Sequence, residues 1–350
     1  MFKESIYLDR NENHYGPAPA CFDVLRAAAV EALSCYSKDP MRGVKSVLTE
    51  RLARDHNVPE ARIQIGYGSE DILKQAVHCY LKEGESLLIP SHSWWYYKSV
   101  AAEKSGRTLE YAMVPGAESF QYDVEGLLRL ARAEKPRLVL ISSPNNPTGN
   151  SLGDDDLGRV LRELKDTIII LDQAYWGFGG EGATPVRDLI EQHSRLIILR
   201  TFSKYYALAG IRVGFGFLGS GLEDLVRSGS RYLGYNRLSE RLALAALDSP
   251  KYYADIRGRM IDDKERMRLA FNRIKGFKVY RSDANFLLAD VPPAHKEALK
   301  AELNGRGLII KFFKNEAGLD NSVRITMGTR EQNGLLIEAV TAFAGEHGLL

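Results

Sequence analysis

Lys204 stands in Arg200-Thr-Phe-Ser-Lys-Tyr-Tyr-Ala-Leu-Ala-Gly-Ile-Arg-Val-Gly214, directly after the apolar run Leu196-Ile-Ile-Leu199. An ammonium just past a buried strand is poorly solvated, which lowers its pKa and frees the amine for Schiff-base chemistry. The hydroxyls of Thr201 and Ser203 lie beside it, and Arg212 follows eight positions on. Two hydroxyls and a fixed guanidinium fork can hold a phosphate. A lysine nucleophile with a phosphate anchor is what pyridoxal 5′-phosphate (PLP) requires. The plain alternative is a solvated loop lysine, and this stretch alone does not choose between the two.

Asp172 closes Thr167-Ile-Ile-Ile-Leu171, which puts a carboxylate at the end of a buried strand. A lone buried carboxylate is costly and needs a partner. A protonated pyridine nitrogen would supply one and make the ring a better electron sink, while a local arginine would satisfy the charge equally well. Tyr175 and Asn146 are candidates to hydrogen-bond a phenolic oxygen. Asn146 lies in the turn sequence Pro144-Asn-Asn-Pro-Thr-Gly149, where a cis bond before Pro147 is the minority form. Gly66-Tyr-Gly-Ser-Glu-Asp71 opens a helical run and offers free backbone N–H groups at Ser69 and Glu70 to an anion, or simply an N-cap serine.

These residues need elements to position them. The spacing predicts strands over Ile63–Ile65, Ser86–Ile89, Thr108–Val114, Arg137–Ser142, Thr167–Leu171, Leu196–Leu199 and Val213–Leu218. Predicted helices are Cys21–Leu33, Val44–His56, Ile72–Leu81, Val124–Glu134 and Asp156–Glu163. Apolar strands alternating with amphipathic helices argue for an α/β fold with a parallel or mixed sheet covered on both faces. Ligands of such sheets bind beyond the carboxyl ends of the strands, where the Gly-Ser turn, the Asn146 turn, Asp172 and Lys204 all fall. A long helix, Tyr253–Ile274, then leads to strands Lys278–Tyr280, Phe286–Ala289, Leu308–Phe312 and Val323–Thr326 with helices Ala294–Asn304 and Arg330–Glu346. That is a smaller α+β unit, to which the first residues add a strand. The division expected is 1–30 with the small domain, 31–250 as the large cofactor domain and 251–350 as the small C-terminal domain. Gly214-Phe-Gly-Phe-Leu-Gly219 matches GxGxxG, but it lies in or at the end of a late strand rather than after the first one, so it does not read as a dinucleotide site.

Composition sets limits on the rest. The 350 residues are long enough for a large core and two domains. A net charge of +2 implies no strong pull toward nucleic acid or a membrane surface. Cys21, Cys35 and Cys79 form no CxxC pair or disulfide framework, which fits a reducing cytoplasm, and each reads as a small buried hydrophobe. The N-terminus has no secretory pattern, and no metal-ligand spacing stands out.

As a set, Ser143-Pro-Asn-Asn-Pro-Thr-Gly149, Asp172-Gln-Ala-Tyr175, Arg200 to Arg212 and Val323-Arg-Ile-Thr-Met-Gly-Thr-Arg330 resemble a fold-type I PLP-dependent aminotransferase, most closely the histidinol-phosphate aminotransferase group. The similarity runs from about Leu8 to the C-terminal helix. It implies a mostly parallel seven-stranded sheet between helices, with a smaller α+β domain. It further implies that Lys204 carries PLP as an aldimine and moves the proton at the substrate Cα. Asp172 would pair with the ring nitrogen, and Asn146 and Tyr175 with the ring oxygen. Thr201, Ser203, Arg212, Ser69 and Glu70 would surround the phosphate. Tyr36 would reach the neighbouring subunit's site, so the implied unit is a homodimer. Arg324 would clamp the substrate carboxylate, with Asn11 nearby.

Four departures bear on substrate. Gln173 replaces an acidic residue. His92 occupies the ring-stacking position of a Tyr or Phe, with Trp94 and Trp95 as alternatives. Lys311 replaces an arginine close to the substrate phosphate, keeping the charge and losing the fork. The chain also begins late, without the N-terminal arm of the family. Together these point to a specialised relative that transfers an amino group between another amino acid, or related amine, and a 2-oxo acid or aldehyde. A threonine-phosphate decarboxylase-like lyase or a PLP oxidase would use the same residues. A regulator built on this domain would need a DNA-binding module before Met1.

Overall fold

The computed structural model describes residues 5–179, 184–316 and 318–350. Fourteen strands are present among these residues. In chain order, β1 (Ile6–Leu8), β2 (Ile63–Gly66), β3 (Ser86–Pro90) and β4 (Arg107–Tyr111) come first. They are followed by β5 (Met113–Pro115), β6 (Phe120–Tyr122), β7 (Leu138–Ser142), β8 (Ile168–Asp172), β9 (Leu196–Thr201) and β10 (Gly214–Leu218). The last four are β11 (Lys278–Val279), β12 (Phe286–Asp290), β13 (Leu308–Phe312) and β14 (Ser322–Thr326).

Seven of them form one sheet in the order β2-β10-β9-β8-β7-β3-β4. All neighbours are parallel except around β10, which runs antiparallel to both β2 and β9. The strands are continuous apolar runs because both faces are covered. Alternate residues serve opposite cores: Val139, Ile141, Ile169, Leu171 and Ile198 pack with helices Val124–Glu134 and Asp154–Glu163. Leu138, Leu140, Ile168, Ile170 and Ile197 pack with helices Ser69–Tyr80 and Tyr96–Ala102. The Gly214–Gly219 stretch forms β10 and its end, as expected for a motif that is not a dinucleotide loop.

The second sheet has the order β1-β13-β14-β12-β11, with β1 parallel to β13 and the other pairs antiparallel. The N-terminal residues do add a strand. Helices Pro250–Phe271, Lys296–Gly305 and Arg330–Glu346 supply the rest of this core.

Three expectations are corrected. The alanine-rich helix ends at Arg26, and a separate turn of helix covers Glu31–Ser34. Residues 25–31 are exposed, so helix propensity there has no packing to support it. The strand expected over Thr108–Val114 breaks at Ala112, because the Ser91 hydroxyl takes the Met113 N–H and turns the chain toward β6. Only Cys21 is buried; Cys35 follows the short exposed turn of helix, and Cys79 is half-buried.

The two sheets are joined at a polar contact. Asp283 N–H donates to Gly149 O at 2.7 Å, and Ser151 N–H donates to Asp283 Oδ2 at 3.2 Å. Lys264, buried on helix Pro250–Phe271, holds this turn by donating to Ser282 O at 2.6 Å and Ala284 O at 2.9 Å. Burial pushes its amine down to about 8 from the ordinary 10.5, opposed by the Asp283 carboxylate. The unfolded chain therefore binds more protons between these values, and Lys264 makes stability rise with pH across that window. Below about 8 both states carry the charge and the cost is constant. Lys264→Met should flatten the rise in urea midpoint between pH 8 and pH 10; an unchanged slope would refute this assignment.

Candidate active site

The carboxyl ends of β7, β8 and β9 open into a cavity of about 1180 Å³ that is closed from the other side by the second sheet. Its wall includes Asn11, Ser69, Glu70, His92, Asn146, Asp172, Tyr175, Thr201, Ser203, Lys204, Arg212, Lys311 and Arg324. The chain thus brings together every expected site residue but one. Tyr36 is exposed and lies outside the cavity of its own chain.

Lys204 follows β9 and is half-buried, so its desolvation is partial. Its Nζ donates to Arg10 O at 3.2 Å and sits 5.7 Å from the centre of the Tyr175 ring. Beside it, Thr201 Oγ1 donates to Ser203 Oγ at 3.0 Å, and Arg212 Nη1 donates to the same Ser203 oxygen at 3.4 Å. Arg212 adopts a left-handed backbone at φ 52°, directly after the turn Ala209–Ile211.

The helix behind them begins three residues earlier than the periodicity indicates. Ser69 is its first helical residue and Gly68 its cap, with no side chain bonded to the first turn. The N-cap-serine reading is thereby excluded, and the helix start, with its free backbone N–H groups, lies beside Arg212, whose Nη2 donates to Tyr67 O at 3.5 Å. Two glycines make the arrangement fit. Gly68 has φ 84°, and a Cβ there would meet Arg212 Nη2 at 2.8 Å. A Cβ on Gly214 would meet Ser69 N at 2.1 Å and Gly68 C at 2.3 Å. Together Arg212, Ser203, Thr201 and the helix start make a cationic, donor-rich cradle.

Asp172 lies deeper, at the end of β8. Burial pushes its carboxyl up, opposed by two donors: Tyr97 OH to Oδ2 at 2.9 Å and Ala174 N–H to Oδ1 at 2.9 Å. No arginine pairs with it among the described residues. The sequence reading misses Tyr97, since the aromatic run 94–97 gives no sign of which ring turns inward. Arg200, the nearby arginine in sequence, instead stacks 3.9 Å from the Trp176 ring centre and donates to Gln173 Oε1 at 3.0 Å. Gln173 therefore serves Arg200.

Tyr175 OH accepts from Asn11 Nδ2 at 2.9 Å. Asn11 is 1% exposed at φ 55°; its own N–H and Oδ1 are bonded to Thr326 Oγ1. Arg324, on β14, donates to Asn146 Oδ1 at 2.6 Å and to Asp9 O at 2.5 Å, while its Nε is buried without a partner. Burial lowers the pKa of this guanidinium. The bonds before Pro144 and Pro147 are both cis. His92 lies edge-on to Phe120 at 5.9 Å and against Gly318; burial pushes its imidazole down, toward the neutral form. Trp94 packs edge-on to Tyr97, and Trp95 is largely exposed. Lys311 pairs across the strands with Arg324, and its Nζ lies 5.8 Å from the Phe313 ring centre.

Fold and cleft together define an α/β protein with a lysine amine, a cationic donor-rich cradle and a buried carboxylate at one opening. The chain belongs to the aminotransferase class I and II family, whose model matches residues 3–340. It is 32% identical over 340 residues to histidinol-phosphate aminotransferase 2 of Thiobacillus denitrificans, covering 96% of this chain and 91% of that one. It is also 32% identical to the histidinol-phosphate aminotransferase of Roseiflexus castenholzii, covering 97% and 90%. Among solved structures, the histidinol-phosphate aminotransferase of Sinorhizobium meliloti in complex with pyridoxal-5′-phosphate superposes with a TM-score of 0.87 at 24% identity, covering 98% of this chain and 92% of that one. The L-threonine-O-3-phosphate decarboxylase of Porphyromonas gingivalis has the same fold, with a TM-score of 0.79 at 21% identity, covering 97% and 99%.

PLP is the cofactor of the family, and the residues here fit it: a primary amine, a cradle for a phosphate and a desolvated carboxylate for a ring cation. The cradle depends on the close approach at Gly214. Gly214→Ala drives a methyl into backbone and should cost about 3 kcal/mol in urea unfolding while weakening PLP retention. Gly216→Ala, whose Cβ meets nothing nearer than 3.4 Å, should leave both nearly unchanged. Equal effects of the two substitutions would show that the cradle does not rest on this contact.

Proposed function

We propose that this chain transfers an amino group between an amino acid, or a related amine, and a 2-oxo acid or aldehyde. The observation that carries the reading is that Lys204, Asp172 and Arg324, from three separated parts of the chain, line one cavity. Lys204 is the residue that holds PLP, and its amine takes and returns the proton at the substrate α-carbon. Bound there, PLP supplies an electron sink conjugated to that carbon. Asp172 keeps a negative charge for the ring nitrogen, and Tyr175 and Asn146 are the donors available to the ring oxygen. Thr201, Ser203, Arg212 and the backbone of Ser69 and Glu70 hold the phosphate. Arg324 receives the substrate carboxylate as a bidentate fork, with Asn11 fixing Tyr175 beside it. The unit is a homodimer in which Tyr36 enters the neighbouring site; its exposure supports this.

The substrate side points to a specialised relative of the histidinol-phosphate enzymes. Lys311 stands beside Arg324 as a point charge without a fork, and Glu12 and Glu316 line the same cavity. His92 presents an imidazole where the family presents a larger ring.

The test is the visible absorption of the purified protein, recorded while a panel of amino acids is added. One amino acid should bleach the cofactor band and an added oxo acid should restore it. Lys204→Ala should lower turnover by several orders of magnitude while PLP stays bound noncovalently; normal activity in that variant would sink the catalytic assignment. Histidinol phosphate should be a poor donor in steady-state assays, and efficient turnover of it would return the chain to the true histidinol-phosphate group. Release of CO₂ or peroxide in step with substrate loss would replace transamination by the lyase or oxidase chemistry.

A further inference from the structure

Asp172 is held by a side chain that none of the site assignments above includes. Tyr97 lies in the first turn of helix Tyr96–Ala102 and is 2% exposed. Trp94 braces its ring edge-on at 5.7 Å. Its hydroxyl donates to Asp172 Oδ2, and among the described residues it is the one side chain bonded to this carboxylate. A carboxylate has about four acceptor sites. Tyr97 and the Ala174 N–H take one on each oxygen, which fixes the plane of the group and leaves the remaining lone pairs for the cavity.

We propose that Tyr97 is a positioning residue, whose hydroxyl keeps the Asp172 carboxylate charged and aimed at the protonated ring nitrogen of the cofactor. This rests on the PLP reading of the cavity. A phenol suits the task because burial holds its own proton firmly, so it remains a donor over the whole working range. The other ionisable groups that share the cavity with Asp172 are Tyr175 on its own loop, Lys204 and Arg212 after β9, His92 after β3, Asp9, Arg10 and Glu12 after β1, Lys311 on β13, Glu316 between β13 and β14, Arg324 on β14 and Glu70 at the start of helix Ser69–Tyr80. Lys98 and Glu110, also in the wall, pair with each other at 2.8 Å. Of all these, only Tyr97 touches the carboxylate, so its removal changes the charge state of Asp172 directly.

The competing account is that Tyr97 is an ordinary core aromatic. Tyr111 provides the control. It is equally buried, its hydroxyl donates to Leu140 O at 3.2 Å, and it makes no bond to Asp172. The experiment measures PLP affinity of the cofactor-stripped full chain by equilibrium dialysis from pH 5 to pH 9. It uses the wild type, Tyr97→Phe, Tyr111→Phe, Asp172→Asn and the double variant Tyr97→Phe/Asp172→Asn. In Tyr97→Phe the loss of affinity on acidification should begin about one pH unit higher than in the wild type. At pH 8 its affinity should stay within about threefold, since the carboxylate is charged in both proteins. Tyr111→Phe should follow the wild-type profile. Once Asp172 is Asn, removing the Tyr97 hydroxyl should shift the profile no further. The pH dependence of kcat/KM should show the same displacement of its acid limb.

Superimposable profiles for Tyr97→Phe and the wild type, or an equal shift in Tyr111→Phe, would overturn this inference and leave the PLP reading standing. A wild-type chain that binds no PLP at any pH would overturn both.

Discussion

The site is arranged around a carboxylate that is largely withdrawn from water. Asp172 is 5% exposed at the end of a central strand, flanked by β7 and β9, and the protein supplies it with one hydroxyl and one backbone N–H. Burying a carboxylate is costly unless donors or a cation compensate it. The fold meets part of that demand itself and leaves the rest facing the cavity. Much of the surrounding structure follows from this constraint. The strands must be apolar on both faces to seal the floor, and the loops beyond them must turn polar groups inward.

The cradle at the other end of the cavity is built by a different principle, the close approach of backbones. Gly214 lets β10 come against Gly68 and Ser69, and Gly68 in turn leaves room for the Arg212 guanidinium. The same stretch of β10 superficially matches a dinucleotide motif, yet its first glycine serves a helix start from an antiparallel strand and its last, Gly219, lies against Ser194. Small residues at a given spacing therefore report that something comes close, and the topology decides what that is. The antiparallel insertion of β10 between β2 and β9 is what carries Arg212 back to the helix that begins at Ser69.

How much of this was legible in the sequence differs by range. The strands of the large sheet were readable because each is a short run of Ile, Leu and Val with both faces buried, and Val124–Glu134 and Arg330–Glu346 matched their periodicity residue for residue. The residues of the cavity were readable from their motifs. The exchange of partners among them was not. Asn11 bonds Tyr175 across 164 positions, and Arg324 reaches the Asp9 carbonyl across 315. Tyr97 carried no distinguishing signal within Trp94-Trp-Tyr-Tyr97, because which ring faces the floor depends on where the helix starts. Local composition misled at the alanine-rich segment after Arg26, where propensity had no face to bury, and at Ala112, where a serine hydroxyl redirected the chain.

The parallel pairing of β1 with β13 has a consequence for the order in which the molecule can be assembled. Ile6, Tyr7 and Leu8 take their places against Leu308, Ile309 and Ile310, so β1 docks onto a strand synthesised long after it. Asn11, three residues further along, is bound to Thr326 on β14 and takes its place only once that strand is present. During synthesis the large sheet has all its strands by Leu218, while the N-terminal segment waits for another hundred residues. Contacts of such sequence separation form late because the loop they close is long. The part of the cavity wall that Arg10 and Asn11 supply is consequently completed late in folding, when the segment after β1 meets β13 and β14.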